Sequence, residues 1–265
     1  MNLQGRTVLL TGATGGLGLA IARALRARGA SLVLSGRRAE VLEPLAAETG
    51  GRAIAADMSA RADLDRLVSE AGDVDVLVAN AGLPADGPVL EYTAEQIDRA
   101  IDVNLRAPLH LGRVFAEAMV QRGGGHLVFV SSLSGKVATA NSGLYSATKF
   151  GLRGFASGLR QDLKGTGVSA SCIFPSGIAD AGMFADSGVK LPLGAGTKTP
   201  ADVGAAVVRA IERDVAEIDV ATIGERAWGL LGQLAPATMA RINQRFGGNE
   251  IAAAISGSEA HRSKR

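Results

Sequence analysis

The chain has 265 residues, 47% hydrophobic and only 4% aromatic, so its apolar content is mainly Ala, Val, Leu and Ile, as parallel strands covered by helices on both faces require. Its 28 basic and 26 acidic residues are spread along the sequence and leave a formal charge of +2, which excludes the basic block expected of a nucleic-acid binder. One cysteine, Cys172, excludes an internal disulfide framework, and three dispersed histidines (His110, His126, His261) lack metal-ligand spacing.

The opening Met-Asn-Leu-Gln-Gly-Arg-Thr lacks the pattern of a signal peptide, and no apolar run approaches the roughly 20 residues of a membrane span. The expectation is a cytoplasmic chain forming one large α/β domain over 1–265, with 225–265 as a helical extension and tail.

Thr7 to Leu10 reads as a strand, and Thr11-Gly12-Ala13-Thr14-Gly15-Gly16-Leu17-Gly18 follows at once. Leu17, Ala20, Ile21, Ala24 and Leu25 then recur at helical spacing towards Arg28. Strand, glycine-rich turn and helix together let backbone approach a phosphate at a helix N-terminus. The spacing is Gly-x-x-x-Gly-x-Gly, not the Gly-x-Gly-x-x-Gly of the standard dinucleotide fingerprint, and no Gly-Lys-Ser/Thr follows to make a P-loop.

The next strand, Ser31 to Ser35, closes a βαβ unit and ends in Ser35-Gly36-Arg37-Arg38. An acid there would accept from both ribose hydroxyls of NAD, whereas two guanidiniums suit a 2′-phosphate. Arg37 and Arg38 therefore point to NADP(H), unless they merely start a solvated helix at Ala39. A helix (Ala39–Thr49), strand (Arg52–Ala56), helix (Ala60–Ala71) and strand (Val74–Ala79) follow, with Asp57 and Asn80-Ala81-Gly82 at strand ends, as ligand contacts or plain turn residues.

A helix capped by Thr93 with Gln96 runs through Asn104 towards Gln121. Asn104 amid Ile101, Val103, Leu105 and Leu109 is either exposed or buried with a partner. His126 to Val130 reads as a buried strand ending at Ser131-Ser132. Tyr145 and Lys149, four apart, share one face of the next helix. A free phenol has a pKa of about 10, and a fixed ammonium nearby favours the phenolate. With Ser132 holding an oxygen, the set is suited to moving a proton. A plain helix face with a snorkelling lysine is the alternative for that pair taken by itself.

Gly151, Gly154 and Gly158 in that helix suggest close approach of the sheet or of a second subunit. Val168 to Phe174 is the sixth strand, followed by Pro175-Ser176-Gly177-Ile178 and a loop to Lys198 expected to cover the site. Thr199-Pro200 starts a helix, a short strand lies near Ile218–Val220, and an apolar helical patch with Trp228, Leu230, Leu231 and Leu234 is broken by Pro236.

In this order and spacing, Thr-Gly-Ala-Thr-Gly-Gly-Leu-Gly at 11–18, Asp57, Asn80-Ala81-Gly82, Asn104, Ser132, Tyr145-x-x-x-Lys149 and Pro175 resemble the short-chain dehydrogenase/reductase family over residues 5–220. The resemblance implies a Rossmann-like, doubly wound parallel sheet of about seven strands, and a nicotinamide dinucleotide. Gly12, Thr14, Gly15, Gly16, Leu17 and Gly18 would border the pyrophosphate. Asp57 and Met58 would lie near adenine, Asn80, Ala81 and Gly82 beside the ribose, and Pro175, Ser176, Gly177 and Ile178 by the nicotinamide.

By the same resemblance Tyr145 would be the proton donor or base, and Lys149 would lower its pKa and bind the ribose. Ser132 would orient the substrate oxygen, and Asn104 would hold a water. The implied activity is interconversion of a ketone, apolar by expectation, with a secondary alcohol. A non-catalytic dinucleotide sensor is the alternative; a nucleotide-sugar epimerase would need a larger substrate domain. Two departures stand out: Ser176 and Asp180 replace a glycine and a threonine of the family, and the apolar segment 226–246 replaces its short glycine-rich end. A homodimer through the helices of Asn104 and Tyr145 is therefore expected ahead of a tetramer.

Overall fold

A computed structural model describes residues 1–178 and 197–245. Strands β1 (Thr7–Thr11), β2 (Ser31–Gly36), β3 (Arg52–Ala55), β4 (Val76–Ala79), β5 (Gly125–Val130), β6 (Val168–Pro175) and β7 (Glu217–Val220) form one sheet in the order 3-2-1-4-5-6-7. Every pairing is parallel. The strand order reverses between β1 and β4, which opens a crevice at the carboxyl ends of the strands.

Successive side chains of a strand point to opposite faces, and the inner strands β1, β4 and β5 are buried on both because helices cover both. Leu9, Leu77, Leu127 and Phe129 turn to one layer of helices, α3 (Arg61–Ala71), α5 (Ala107–Gln121) and α6 (Gly143–Asp162). Val8, Leu10, Val76, Val78, Val128 and Val130 turn to the other, α1 (Gly16–Arg26), α2 (Ala39–Thr49) and α7 (Pro200–Arg213). Burial of each such side chain contributes about 1.5–3 kcal/mol. Phe129 and Phe155 meet edge to face, their ring centroids 5.5 Å apart. Two further helices, α8 (Ile223–Leu234) and α9 (Pro236–Arg245), follow β7.

The sequence predicts one helix from Thr93 to Gln121, but the chain forms α4 (Ala94–Ile101), a wide π-type turn over Asp102–Arg106, and then α5. Thr93 and Gln96 make the expected capping box. The widening has a local cause. Pro108 has no N–H to offer the carbonyl of Asn104, so the regular ladder cannot pass this point.

Of the glycines in α6, Gly151 packs on the Leu105 side chain, while Gly154 and Gly158 face open space. The sheet beneath is therefore not what they accommodate. Close backbone approach occurs instead at Gly204 of α7, where a Cβ would stand 2.9 Å from both the Ala20 carbonyl oxygen and the Ala24 Cβ of α1. The loop expected to cover the site lies outside the described residues over 179–196. No helix among the described residues is long and apolar enough to cross a membrane.

At the amino end of β5, far along the strands from the crevice, His126 is buried with Nε2 2.8 Å from Ser171 Oγ. Ser171 spends its own proton on the Val215 carbonyl, so Nε2–H must donate to Ser171 Oγ. Burial holds the ring's pKa down to about 4, against the pull of Asp214. An unfolded histidine titrates at the ordinary value, so the unfolded state binds the proton first and stability falls as pH drops from about 6.5 to 4. The full effect is up to about 3 kcal/mol. Urea unfolding at pH 7 and pH 4.5 should show this loss, and His126→Gln should reduce it; equal pH dependence in the two proteins would contradict the assignment.

Candidate active site

The turn after β1 is shaped by what it must avoid. Gly12 has φ +66°, and a Cβ on it would lie 2.7 Å from the Ala81 Cα; one on Gly18 would overlap the Gly12 carbonyl. Gly15 caps α1 without a side chain, and no acid occupies its first turn, so its N–H groups and positive dipole end stay available to an anion. Asn80 ties the two sides of the crevice together. Its Nδ2 donates to the carbonyls of Thr11 and Gly12, each at 3.1 Å, while Thr11 Oγ1 accepts from the Asn80 and Ala81 N–H groups.

At the tip of β2, Arg38 donates to the Thr14 carbonyl and so leans over that turn. Arg37 is exposed. Asp57, at the end of β3, is partly buried, which works against its charge. Two bonds from Ser59 and the charges of Arg37 and Arg99 outweigh this and hold the carboxyl below its ordinary range. Met58 is packed into the core, which leaves only its backbone for a ligand. Ser176 donates from N and Oγ to the Val220 carbonyl, and Ile178 is buried and bridges to Lys198. Asp180 lies outside the described residues.

Asn104 is fully buried, not exposed. Its Oδ1 accepts from the Leu83 N–H at 2.7 Å and its Nδ2 donates to the Leu83 carbonyl at 2.9 Å. The π turn thus grips the segment beyond β4. Gly82 lies between the two groups: a Cβ on it would be 3.4 Å from Asn104 Oδ1 and 3.6 Å from Lys149 Nζ.

Ser132 lies two residues beyond β5 and caps a short turn, Leu133–Gly135, with Oγ accepting from the Ser134 N–H. Tyr145, in the first turn of α6, is buried, and its phenol interacts with the Ser132 hydroxyl. Lys149, one turn on, is 3% exposed; its ammonium donates to the Val130 carbonyl at 3.1 Å and lies 5.5 Å from the Tyr145 ring centroid. All four residues singled out in the sequence therefore converge at the crevice.

Burial dominates the electrostatics of both Tyr145 and Lys149. Burial, and then the nearby charge of Asp86, push the phenol above its ordinary value, against the hydrogen bond with Ser132. The lysine is itself pushed down, to about 8, by burial. Sequence reasoning passed over Asp86, which the Tyr145 N–H bond to the Ala85 carbonyl brings beside the phenol. No sequence pattern signalled it. It also passed over Pro108, whose missing N–H was visible.

A glycine turn at a free helix end, open guanidiniums beside it and a buried phenol–ammonium pair across the crevice define a dinucleotide-binding oxidoreductase. Residues 6–190 match the family model described as short chain dehydrogenase. The chain belongs to that family. It is 38% identical over 260 residues to the ketoacyl reductase HetN of Nostoc sp., covering 92% of this chain and 90% of that protein. A solved short-chain dehydrogenase from Sphingobium yanoikuyae in complex with NADPH superposes with a TM-score of 0.77 at 26% identity, covering 88% of this chain and 94% of that one. A solved putative betaketoacyl-ACP reductase also gives 0.77, at 27% identity, covering 84% and 99%.

Asn104→Ala would strand both main-chain groups of Leu83 in the interior. The expected loss is about 2–4 kcal/mol, or a melting temperature lower by roughly 5–10 °C in a thermal scan. An unchanged melting temperature would show that Leu83 finds other partners.

Proposed function

We propose that the chain is an NADP(H)-dependent oxidoreductase that interconverts a ketone and a secondary alcohol. The convergence of Ser132, Tyr145 and Lys149 below the crevice carries this reading. The residues present fit the cofactor: the open end of α1 with Gly12, Thr14, Gly15, Gly16, Leu17 and Gly18 would take the pyrophosphate. Arg37 and Arg38 would take the 2′-phosphate, and Asp57 would accept from the adenine amino group. Asn80, Ala81 and Gly82 would border the ribose, and Pro175 to Ile178 the nicotinamide. When bound, the nicotinamide supplies or accepts a hydride.

The protein's own part is to place an oxygen and move a proton. The Ser132 hydroxyl orients the substrate oxygen. Tyr145, kept neutral by burial and Asp86, is poised as proton donor to that oxygen, which suits reduction. Lys149 remains charged at neutral pH, and the two N–H bonds not directed at Val130 are available to ribose hydroxyls. With the Asn104 side chain spent on Leu83, its main-chain carbonyl is the group available to a water beside Lys149.

The names of the relatives make a ketoacyl thioester the first substrate to try, in keeping with an apolar carbonyl compound. The chain is further read as one domain that pairs into a homodimer through α5 and α6, where Phe150 is exposed and Gly154 and Gly158 leave room for a partner.

Tyr145→Phe should bind NADPH as the native protein does, measured by fluorescence titration, and should lose at least about a hundredfold in ketone-dependent NADPH oxidation. Retained turnover would refute the role of Tyr145. The reduction rate should fall with a single ionisation as pH rises through about 8, because Lys149 loses its charge there. A rate constant from pH 7 to 10 would contradict this.

A further inference from the structure

Below the active site a second cationic group is buried, and the chemistry just described does not use it. Lys136, four residues after Ser132, is 8% exposed and directs its ammonium at two carboxylates of β7. Glu217 Oε2 lies at 3.0 Å and Asp219 Oδ1 at 2.6 Å. The Asp219 oxygen is wholly shielded and makes no aligned hydrogen bond, so this contact is ionic. Glu217 is in turn held by a two-pronged bond from Arg153, at 2.8 and 3.1 Å, and Arg153 also donates to Gln233 of α8. Arg153 stands one turn beyond Lys149, on the face of α6 that carries Tyr145.

Both cations also bracket the Phe174 ring, Lys136 at 4.1 Å and Arg153 at 5.6 Å from its centroid, immediately before Pro175. The next residue, Val137, is packed so tightly on α8 that a Cβ on Gly232 would overlap it. The turn between Ser132 and Lys136 is short and closed: Gly135 N–H bonds to the Ser132 carbonyl and Lys136 N–H to the Leu133 carbonyl, both at 2.8 Å. A displacement at Lys136 is therefore delivered to Ser132 with little slack.

We propose that Lys136 is a positioning residue: its ion pairs with Glu217 and Asp219 fix the turn that aims the Ser132 hydroxyl at Tyr145. The inference rests on the oxidoreductase reading and adds a device to it, because the clamp joins the serine turn, the catalytic helix and the last strand into one unit.

The test must not leave Asp219 as a lone shielded carboxylate, so Lys136→Met is combined with Asp219→Asn. The readout is NADPH oxidation with acetoacetyl-CoA and with an activated diketone, in the Ser132 protein and in Ser132→Ala. The expected result is a fall of about tenfold in kcat, with NADPH affinity within about twofold, and almost no further loss in the Ser132→Ala background. Lys136→Arg should recover part of the rate. An equal loss with and without the serine, or no loss, overturns the proposal.

Should the native protein reduce neither carbonyl compound, that failure falls on the proposed function. Hydrogen exchange then decides the clamp alone. Amides of 133–137 should exchange at least about tenfold faster in the double variant, with those of β1 and β2 unchanged. Unchanged exchange at 133–137 overturns it.

Discussion

The arrangement depends on one buried ammonium. Lys149 is enclosed between β5 and α6, and no carboxylate among the described residues is within ion-pair distance. Removing such a charge from water costs several kcal/mol, so the site holds a group that the fold by itself would sooner exclude. The hydrogen bond to the Val130 carbonyl offsets part of that cost. The backbone around the lysine is gripped as well: Ser131 Oγ donates to its carbonyl at 3.0 Å, and Gly135 is so close that a Cβ there would lie 2.7 Å from the same oxygen. Costs of this kind gather where function requires a group in an unfavourable place.

The rest of the molecule explains how that group is held. The β1–β4 reversal makes the crevice, Asn80 laces its two sides, and Asn104 grips the segment leading away from β4. Each of these polar side chains serves main-chain atoms at a strand end, where the ladder has stopped and partners are scarce. Asp86 and Ser132 then act on the phenol in opposite senses, with burial on the side of the neutral form. A neutral phenol beside a charged lysine is the arrangement on which the proposed proton-donor role rests.

Much of this was legible in the sequence because it is periodic or local. Strands apolar on both faces, the Thr93–Gln96 and Thr199–Asp202 caps, and the four-residue step from Tyr145 to Lys149 all follow from spacing alone. The residues proposed to hold the cofactor lie in turns rich in Gly, Asn and Asp beyond the strands, and such turn residues stand out in a sequence. Illegible were features set by long-range neighbours. Taken by itself Asn104 read more readily as a surface residue, since its partner, Leu83, is 21 positions away. The glycines of α6 suggested close approach of the sheet or of a second subunit; the sheet stays clear of Gly154 and Gly158, and within the chain the close approach is that of α7 to α1 at Gly204. Lys136 reads as a surface lysine until β7 places two carboxylates against it.

The central claim is that one ammonium serves both the Val130 carbonyl and the nicotinamide ribose, below a phenol that faces Ser132. A crystal structure of the NADPH complex tests it most directly. The account predicts Lys149 Nζ within hydrogen-bonding distance of the ribose hydroxyls, its bond to Val130 kept, and the Tyr145 and Ser132 hydroxyls side by side at the nicotinamide. A cofactor seated with its nicotinamide ribose away from Lys149, or a Tyr145 hydroxyl turned from Ser132, would contradict it.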